Sequence, residues 1–192
     1  MNPKPTPQTL FFETADEWEA WLAQNYELDE GVFLKFAKKD SGITSLNHAG
    51  ALDAALCYGW IDGQARPINE TFYAQKFTPR RARSVWSKRN VGKVEELTKL
   101  GKMKAPGIAA VEAAKADGRW EQAYASPANA VVPPELQVAL DTNPAAKEFF
   151  ETLNKTNRYA VIWRVATARK PETRVARITK LIAMLEKQEK FH

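Results

Sequence analysis

Strand-like and helix-like periodicities are not spread evenly along this chain; they change over once. Before Phe77, short apolar β-prone segments alternate with helical patterns, and beyond Asn90 only helical patterns occur. The changeover is the stretch Phe77-Thr78-Pro79-Arg80-Arg81-Ala82-Arg83-Ser84-Val85-Trp86-Ser87-Lys88-Arg89-Asn90. It packs five cations, three hydroxyls, one amide and one Trp into fourteen residues. Such a distribution predicts an α+β fold, with a small N-terminal sheet and its helices followed by a C-terminal helical bundle. The predicted division is an α+β module over residues 1–126, carrying the basic loop 77–90, and a helical bundle over 127–192. The Pro-rich run Ser126–Pro134 reads as the linker.

Within the first part, Thr9–Phe12 reads as a strand, and Thr14 or Asp16 as the cap of a helix. Trp18, Trp21 and Leu22 fall at i, i+3 and i+4, a stripe that belongs in a core. Gly31–Ala37 reads as a second strand. Ser45 is the expected cap of a helix through Ala49, Leu52, Ala55 and Leu56, closed by Gly59. Trp60–Gly63 should start a new strand or a tight turn, Asp62-Gly63 being a turn signal, and Thr71–Phe77 alternates as a third, clearer strand. Beyond the loop, Ser84 or Ser87 caps a helix through Val91, Val94, Leu97 and Leu100, ended by Gly101. Pro106 opens a helix striped by Ile108, Val111 and Ala114. Pro134, Asn143-Pro144, Asn157 and Pro171 each begin another, the last carrying Val175, Ile178, Leu181, Ile182 and Leu185.

The charge pattern sharpens the picture. Residues 1–75 hold 5 basic and 11 acidic side chains, residues 76–104 hold 10 and 2, residues 105–150 hold 3 and 6, and residues 151–192 hold 10 and 4. Two basic blocks therefore alternate with two acidic ones. They either complement one another inside the fold or face an anionic partner. A single cysteine, Cys57, leaves no internal disulfide, and two histidines, His48 and His192, make a His-ligated metal site an unpromising reading. No apolar run approaches the ~20 residues of a membrane span. The N-terminal Met1–Pro7 has no apolar core of a secretory signal and reads as a polyproline-like arm, so a cytoplasmic setting is expected.

The basic loop leads into a helix start, where unpaired N–H groups and the helix dipole favour an anion. A cleft is expected there for an anionic small molecule or an acidic protein surface. Arg80, Arg81 and Arg83 would supply charge, and Ser84, Ser87 and Asn90 hydrogen bonds. Trp60 and Trp86 would form the walls, with Asp62 alongside. The competing reading pairs these arginines with Asp53 or Asp62 and closes the site. Asp53 and Cys57 share a helix face near Asp62, which opens an enzyme alternative with Asp62 or Asp53 as general acid or base. Cys57 itself reads as a packed thiol and His48 as a surface or capping residue. Arg158, Arg164, Arg169, Lys170, Arg174, Arg177 and Lys180, beside Tyr159 and Trp163, open a nucleic-acid alternative through the two basic blocks; a solvated helix face is the plainer reading. No Gly-rich phosphate loop and no Gly-x-Ser-x-Gly elbow is present. No cofactor and no metal is assigned.

Five segments carry a family resemblance: Ala55–Gly63, Phe77–Asn90, Gly101–Met103, Gly118–Trp120 and Ala168–Ile178. Together they resemble the YdeI/OmpD-associated, bacteriocin-protection family over most of the chain. The resemblance implies a small bacterial cytoplasmic protein linked to bacteriocin or envelope-stress protection. It also implies an N-terminal part similar to frataxin-like or YjbR-like α+β modules. It brings no reaction, cofactor or catalytic residue with it.

Overall fold

The computed structural model describes residues 7–191. Of the Pro-rich arm read at Met1–Pro7, all but Pro7 lies outside the described residues. The fold is α+β, with a four-stranded sheet in the N-terminal half and helices thereafter. It divides into two compact units. The first runs up to Ser84 and includes Asn90–Glu121; the second takes Val85–Arg89 and everything from Gln122 onward.

The first unit begins with β1 (Thr9–Phe11), α1 (Ala15–Asn25), β2 (Val32–Ala37), α2 (His48–Cys57), β3 (Trp60–Pro67) and β4 (Phe72–Pro79). The strand order is β1-β2-β4-β3, with β1 parallel to β2 and the other pairs antiparallel. The first helix starts as its sequence demands. Thr14 accepts from the Glu17 N–H, and the Glu17 carboxylate returns to the Thr14 N–H, a reciprocal cap. Alternation along β2 then sends Val32, Leu34 and Phe36 inward. There they meet Trp18 and Leu22 of α1, Leu52 and Leu56 of α2, and Phe77 of β4, all nearly or fully buried. Trp18 lies at the centre: its ring stacks on Trp21 at 5.2 Å, meets Phe77 at 5.8 Å and Trp60 at 6.1 Å, and its Nε1–H donates to the Ala51 carbonyl at 3.1 Å.

One local expectation is corrected and one open reading is decided. The α2 cap is Asn47, which accepts from the Gly50 N–H; Ser45 instead accepts from the Ala37 N–H. Of the strand and the turn read at Trp60–Gly63, the strand forms: Asp62-Gly63 lies within β3, where the register shifts between Asp62 and Ala65. A glycine in a strand that must bulge carries much the same residue signature as one in a turn. With it the sheet has four strands.

α3 (Lys88–Lys99) and α4 (Ala105–Ala116) follow. Gly59, at φ +73°, ends α2 in the left-handed region. Gly107 of α4 lies so close to the Cys57 carbonyl that any side chain would collide with it. Val111 and Ala114 are buried as expected, but Ile108 is 49% exposed.

The second unit holds α5 (Pro134–Asp141), α6 (Pro144–Thr152), α7 (Lys155–Ala166) and α8 (Pro171–Glu186). Leu136, Leu140, Phe150, Val161, Val165, Leu181 and Leu185 form its core. Prolines at the first or second position open α5, α6 and α8, where the missing N–H would be unpaired in any case. The α7 cap is Asn154, not Asn157; Asn157 is buried within the first turn, and its Oδ1 accepts from the Phe191 N–H at 3.1 Å. Val175 of α8 is 64% exposed rather than core. The segment Val85–Arg89 joins this unit through a short parallel bridge: Tyr124 N–H donates to the Trp86 carbonyl, and Lys88 N–H to the Tyr124 carbonyl, both at 2.9 Å.

Candidate functional site

Of the nine expected site residues, Trp60, Asp62, Arg80, Arg81, Arg83, Ser84 and Asn90 lie in the first unit and Trp86 and Ser87 in the second. β4 ends at Pro79, and the Arg80 N–H is tied back to the Gly59 carbonyl at 2.9 Å. The chain then closes a tight turn. Ser84 N–H donates to the Arg81 carbonyl at 2.9 Å, and Arg81 N–H donates to Ser84 Oγ at 3.0 Å. Arg119, only 6% exposed, secures that turn, because its guanidinium donates to the Ser84 carbonyl at 3.0 Å while Asp117 neutralises it at 2.7 Å. Arg119 belongs to the Gly118–Trp120 segment that carried part of the resemblance, but its residue type and spacing give it no role there. The one local signal is Asp117-Gly118, where Gly118 at φ +75° ends the turn beyond α4 and brings the two side chains together.

The residues expected as walls are enclosed. Trp60 is fully buried, with its Nε1–H donating to the Tyr26 carbonyl at 2.7 Å, so it serves the core of the first unit. Trp86 is 1% exposed and Asn90 is buried. Ser84 does not cap α3, since its hydroxyl serves the Arg81 turn and the helix begins at Lys88. Arg81 and Arg83 are exposed and Arg80 is half-buried.

The acids expected to close the site do not. Asp53 pairs with Lys93 at 2.5 Å, and Asp62 pairs with His48 at 3.0 Å. Among the described residues, Arg81 and Arg83 form no ion pair. His48 is thus more than a surface residue. It opens α2, reaches Asp62 at the start of β3, and its ring lies 6.2 Å from both Phe36 and Phe77. A His–carboxylate pair of this kind can take up or hand on a proton.

Cys57 ends α2 at 4% exposure, and burial, reinforced by the charge of Glu19, pushes its thiol up to about 11 from 9.0. A thiol held protonated is a poor nucleophile at neutral pH. Native protein at pH 8 should therefore resist a thiol-reactive disulfide reagent, with stoichiometric labelling only in denaturant. The sign of the linkage is clear. A raised value favours the folded state while the thiol stays protonated, so that stability is complete below pH 9 and declines as pH climbs toward 11. Rapid labelling of the native protein at pH 8 would contradict this.

The second unit contains a cavity of about 360 Å³ lined by Trp163, Arg164, Arg177, Lys180, Leu181, Met184 and Phe191. Its floor is apolar, and every charged residue of its lining is basic. Arg164 donates to the Ala160 carbonyl at 2.9 Å with its guanidinium 3.6 Å from the Phe191 ring centre, and Arg177 donates to the Arg164 carbonyl at 2.7 Å. Arg174 pairs with Glu135 at 2.9 Å and reaches the Ala168 carbonyl. Arg177 and Arg174 satisfy carbonyls at and beyond the end of α7, a use that periodicity alone cannot reveal. Lys180 is exposed at the rim and, among the described residues, carries no ion pair. The Tyr159 hydroxyl, read alongside this basic block, donates to the Ala125 carbonyl at 3.0 Å.

Residues 10–110, more than half of the chain, match the family model described as a domain of unknown function, DUF8412. The chain belongs to that family. Residues 129–188 match a second model, that of the bacteriocin-protection, YdeI or OmpD-associated family. That second match covers the C-terminal part of the chain alone and contains the Ala168–Ile178 segment that carried part of the resemblance. The segments Ala55–Gly63 and Phe77–Asn90, read as carrying the same resemblance, fall within the DUF8412 match instead. No curated protein and no solved structure matches the chain. Among the described residues, no helix is long and apolar enough to cross a membrane.

Proposed function

We propose that this is a cytoplasmic binding protein of the bacteriocin-protection type, acting through an anionic ligand rather than through a reaction of its own. The observation that carries the reading is the cavity of the second unit, which lies within the bacteriocin-protection match and sets three cations over an apolar floor. A pocket of this size with a few convergent charges suits an amphipathic anion, whose carboxylate meets Lys180 and Arg177 while its chain lies along Leu181 and Met184. A second reading is favoured by the exposure of Arg81 and Arg83 beside the Arg81–Ser84 turn. It places a small, strongly charged anion or an acidic protein surface at the basic loop of the first unit.

One experiment separates the two. Decanoate should raise the melting midpoint by several degrees at a hundredfold excess over its Kd, equivalent to about 2.7 kcal/mol. Decyltrimethylammonium, with the same chain and the opposite charge, should not. Lys180→Glu should abolish the decanoate shift, and Arg81→Ala/Arg83→Ala should leave it intact. A shift with inorganic phosphate or citrate, lost only in the Arg81→Ala/Arg83→Ala variant, would establish the loop reading in its place. If no anion in the panel moves the midpoint, the binding function is wrong.

A further inference from the structure

The sheet of the first unit has a second face, turned away from Trp18 and the core. Strand register defines it. Phe33 and Lys35 of β2 lie opposite Lys76 and Ala74 of β4, Arg66 of β3 lies opposite Ala74, and Phe11 of β1 lies opposite Lys35. Phe72, opposite Ala37, completes the set. A sheet that buries one face normally shows polar side chains on the other. This one shows three phenylalanines, with Phe11 40% exposed, and it interleaves them with three cations. The Arg66 guanidinium lies 3.8 Å from the Phe33 ring centre, and Lys35 Nζ lies 3.8 Å from that of Phe72 and 5.6 Å from that of Phe11. Lys76 Nζ is 5.9 Å from Phe33. Among the described residues none of these cations forms an ion pair, and no register position on this face is acidic.

We propose that this face is a binding platform for single-stranded nucleic acid. Two demands must be met together in such a site: flat π surfaces or guanidinium planes for unstacked bases, and cations within reach of the phosphates between them. Phe33 with its Arg66 plane provides one stacking station, and Phe72 with Phe11, 6.2 Å apart, a second. Lys35 and Lys76 supply charge between the two. An acidic protein surface would use the cations but bring no flat π system to lie against the rings and the guanidinium plane. A duplex hides its bases inside grooves that a flat sheet cannot enter.

The test is fluorescence anisotropy of the full chain with labelled twelve-nucleotide oligo-dT and oligo-U, and with a duplex of equal length, at 50 and 200 mM salt. Single strands should bind at least fivefold more tightly than duplex, and affinity should fall at least tenfold between the two salt concentrations. Phe72→Ala should weaken binding about tenfold. Lys35→Glu and Arg66→Glu, surface charge reversals that keep the strands paired, should weaken it more. Arg81→Ala/Arg83→Ala and Lys180→Glu should change it less than twofold, which keeps this site distinct from the anion sites. Equal affinity for duplex, no binding at 50 mM salt, or wild-type affinity in both charge reversals would overturn the proposal.

Discussion

Trp18→Ala is expected to lower the unfolding free energy of the first unit by about 4 kcal/mol, near the upper end of what a single truncation does. Three terms act in the same direction. The indole is fully buried, so its whole apolar surface is removed from the core. It touches four other rings, Phe12, Trp21, Trp60 and Phe77, all at centroid distances of 6.1 Å or less, and Trp21, Trp60 and Phe77 cannot collapse into the space without leaving the helix or strands that hold them. Its Nε1–H satisfies the Ala51 carbonyl, which the variant would leave buried and without that partner. Urea unfolding followed by far-UV circular dichroism should show the transition midpoint drop by roughly 2 M with little change in slope. Trp21→Ala makes the comparison, because Trp21 is only half-buried and should cost less than half as much. Equal losses for the two variants would mean that the core is not centred on Trp18.

Gly107→Ala should destabilise by about 3 kcal/mol or more, against the rule that alanine is the better helix former by about 1 kcal/mol. The reversal follows from geometry. A methyl group at Gly107 would lie inside the Cys57 carbonyl and crowd the Leu56 carbonyl, both of them backbone atoms that cannot rotate aside. α4 would have to move off the end of α2, taking Val111 and Ala114 out of their packing. Gly92→Ala in α3 is the control. Nothing lies within 4 Å of a methyl group there, so the propensity term acts alone and the variant should gain about 0.5–1 kcal/mol. Opposite signs for two glycine-to-alanine changes in neighbouring helices, read from the same urea titrations, would establish backbone contact as the cause. A stabilised Gly107→Ala would show that α4 does not approach α2 this closely.

Much of the architecture was legible in residue order because local and tertiary preferences agree. The Trp18–Leu22 stripe, the Thr14 cap with Glu17 three residues on, and the alternation of Phe72–Phe77 each point to one structure, and that structure forms. Errors arose where one residue type serves two purposes. Ser45 and Asn47 are both competent caps, and the choice depends on Ser45 being held by the Ala37 N–H across the loop. Asn154 and Asn157 present the same ambiguity, resolved by Phe191 drawing on Asn157. Site residues were harder still. Trp60 and Trp86 look like ligand walls when read beside arginines, but burial is a property of the whole fold. The His48–Asp62 pair joins residues fourteen apart, and only the crossing from α2 into β3 brings them together. The cationic and aromatic face of the sheet depends on strand register, which no window of sequence contains.

The five residues Val85–Arg89 have a consequence for anyone who would take the protein apart. The polypeptide leaves the first unit at Ser84, contributes one bridge strand's worth of backbone to the second, and returns at Asn90 before departing for good after Glu121. No single scissile position therefore yields two self-sufficient fragments. A gene cut after codon 121 would leave Tyr124 bereft of the Trp86 and Lys88 main-chain atoms it pairs with, and would oblige the N-terminal product to carry a stretch of foreign backbone.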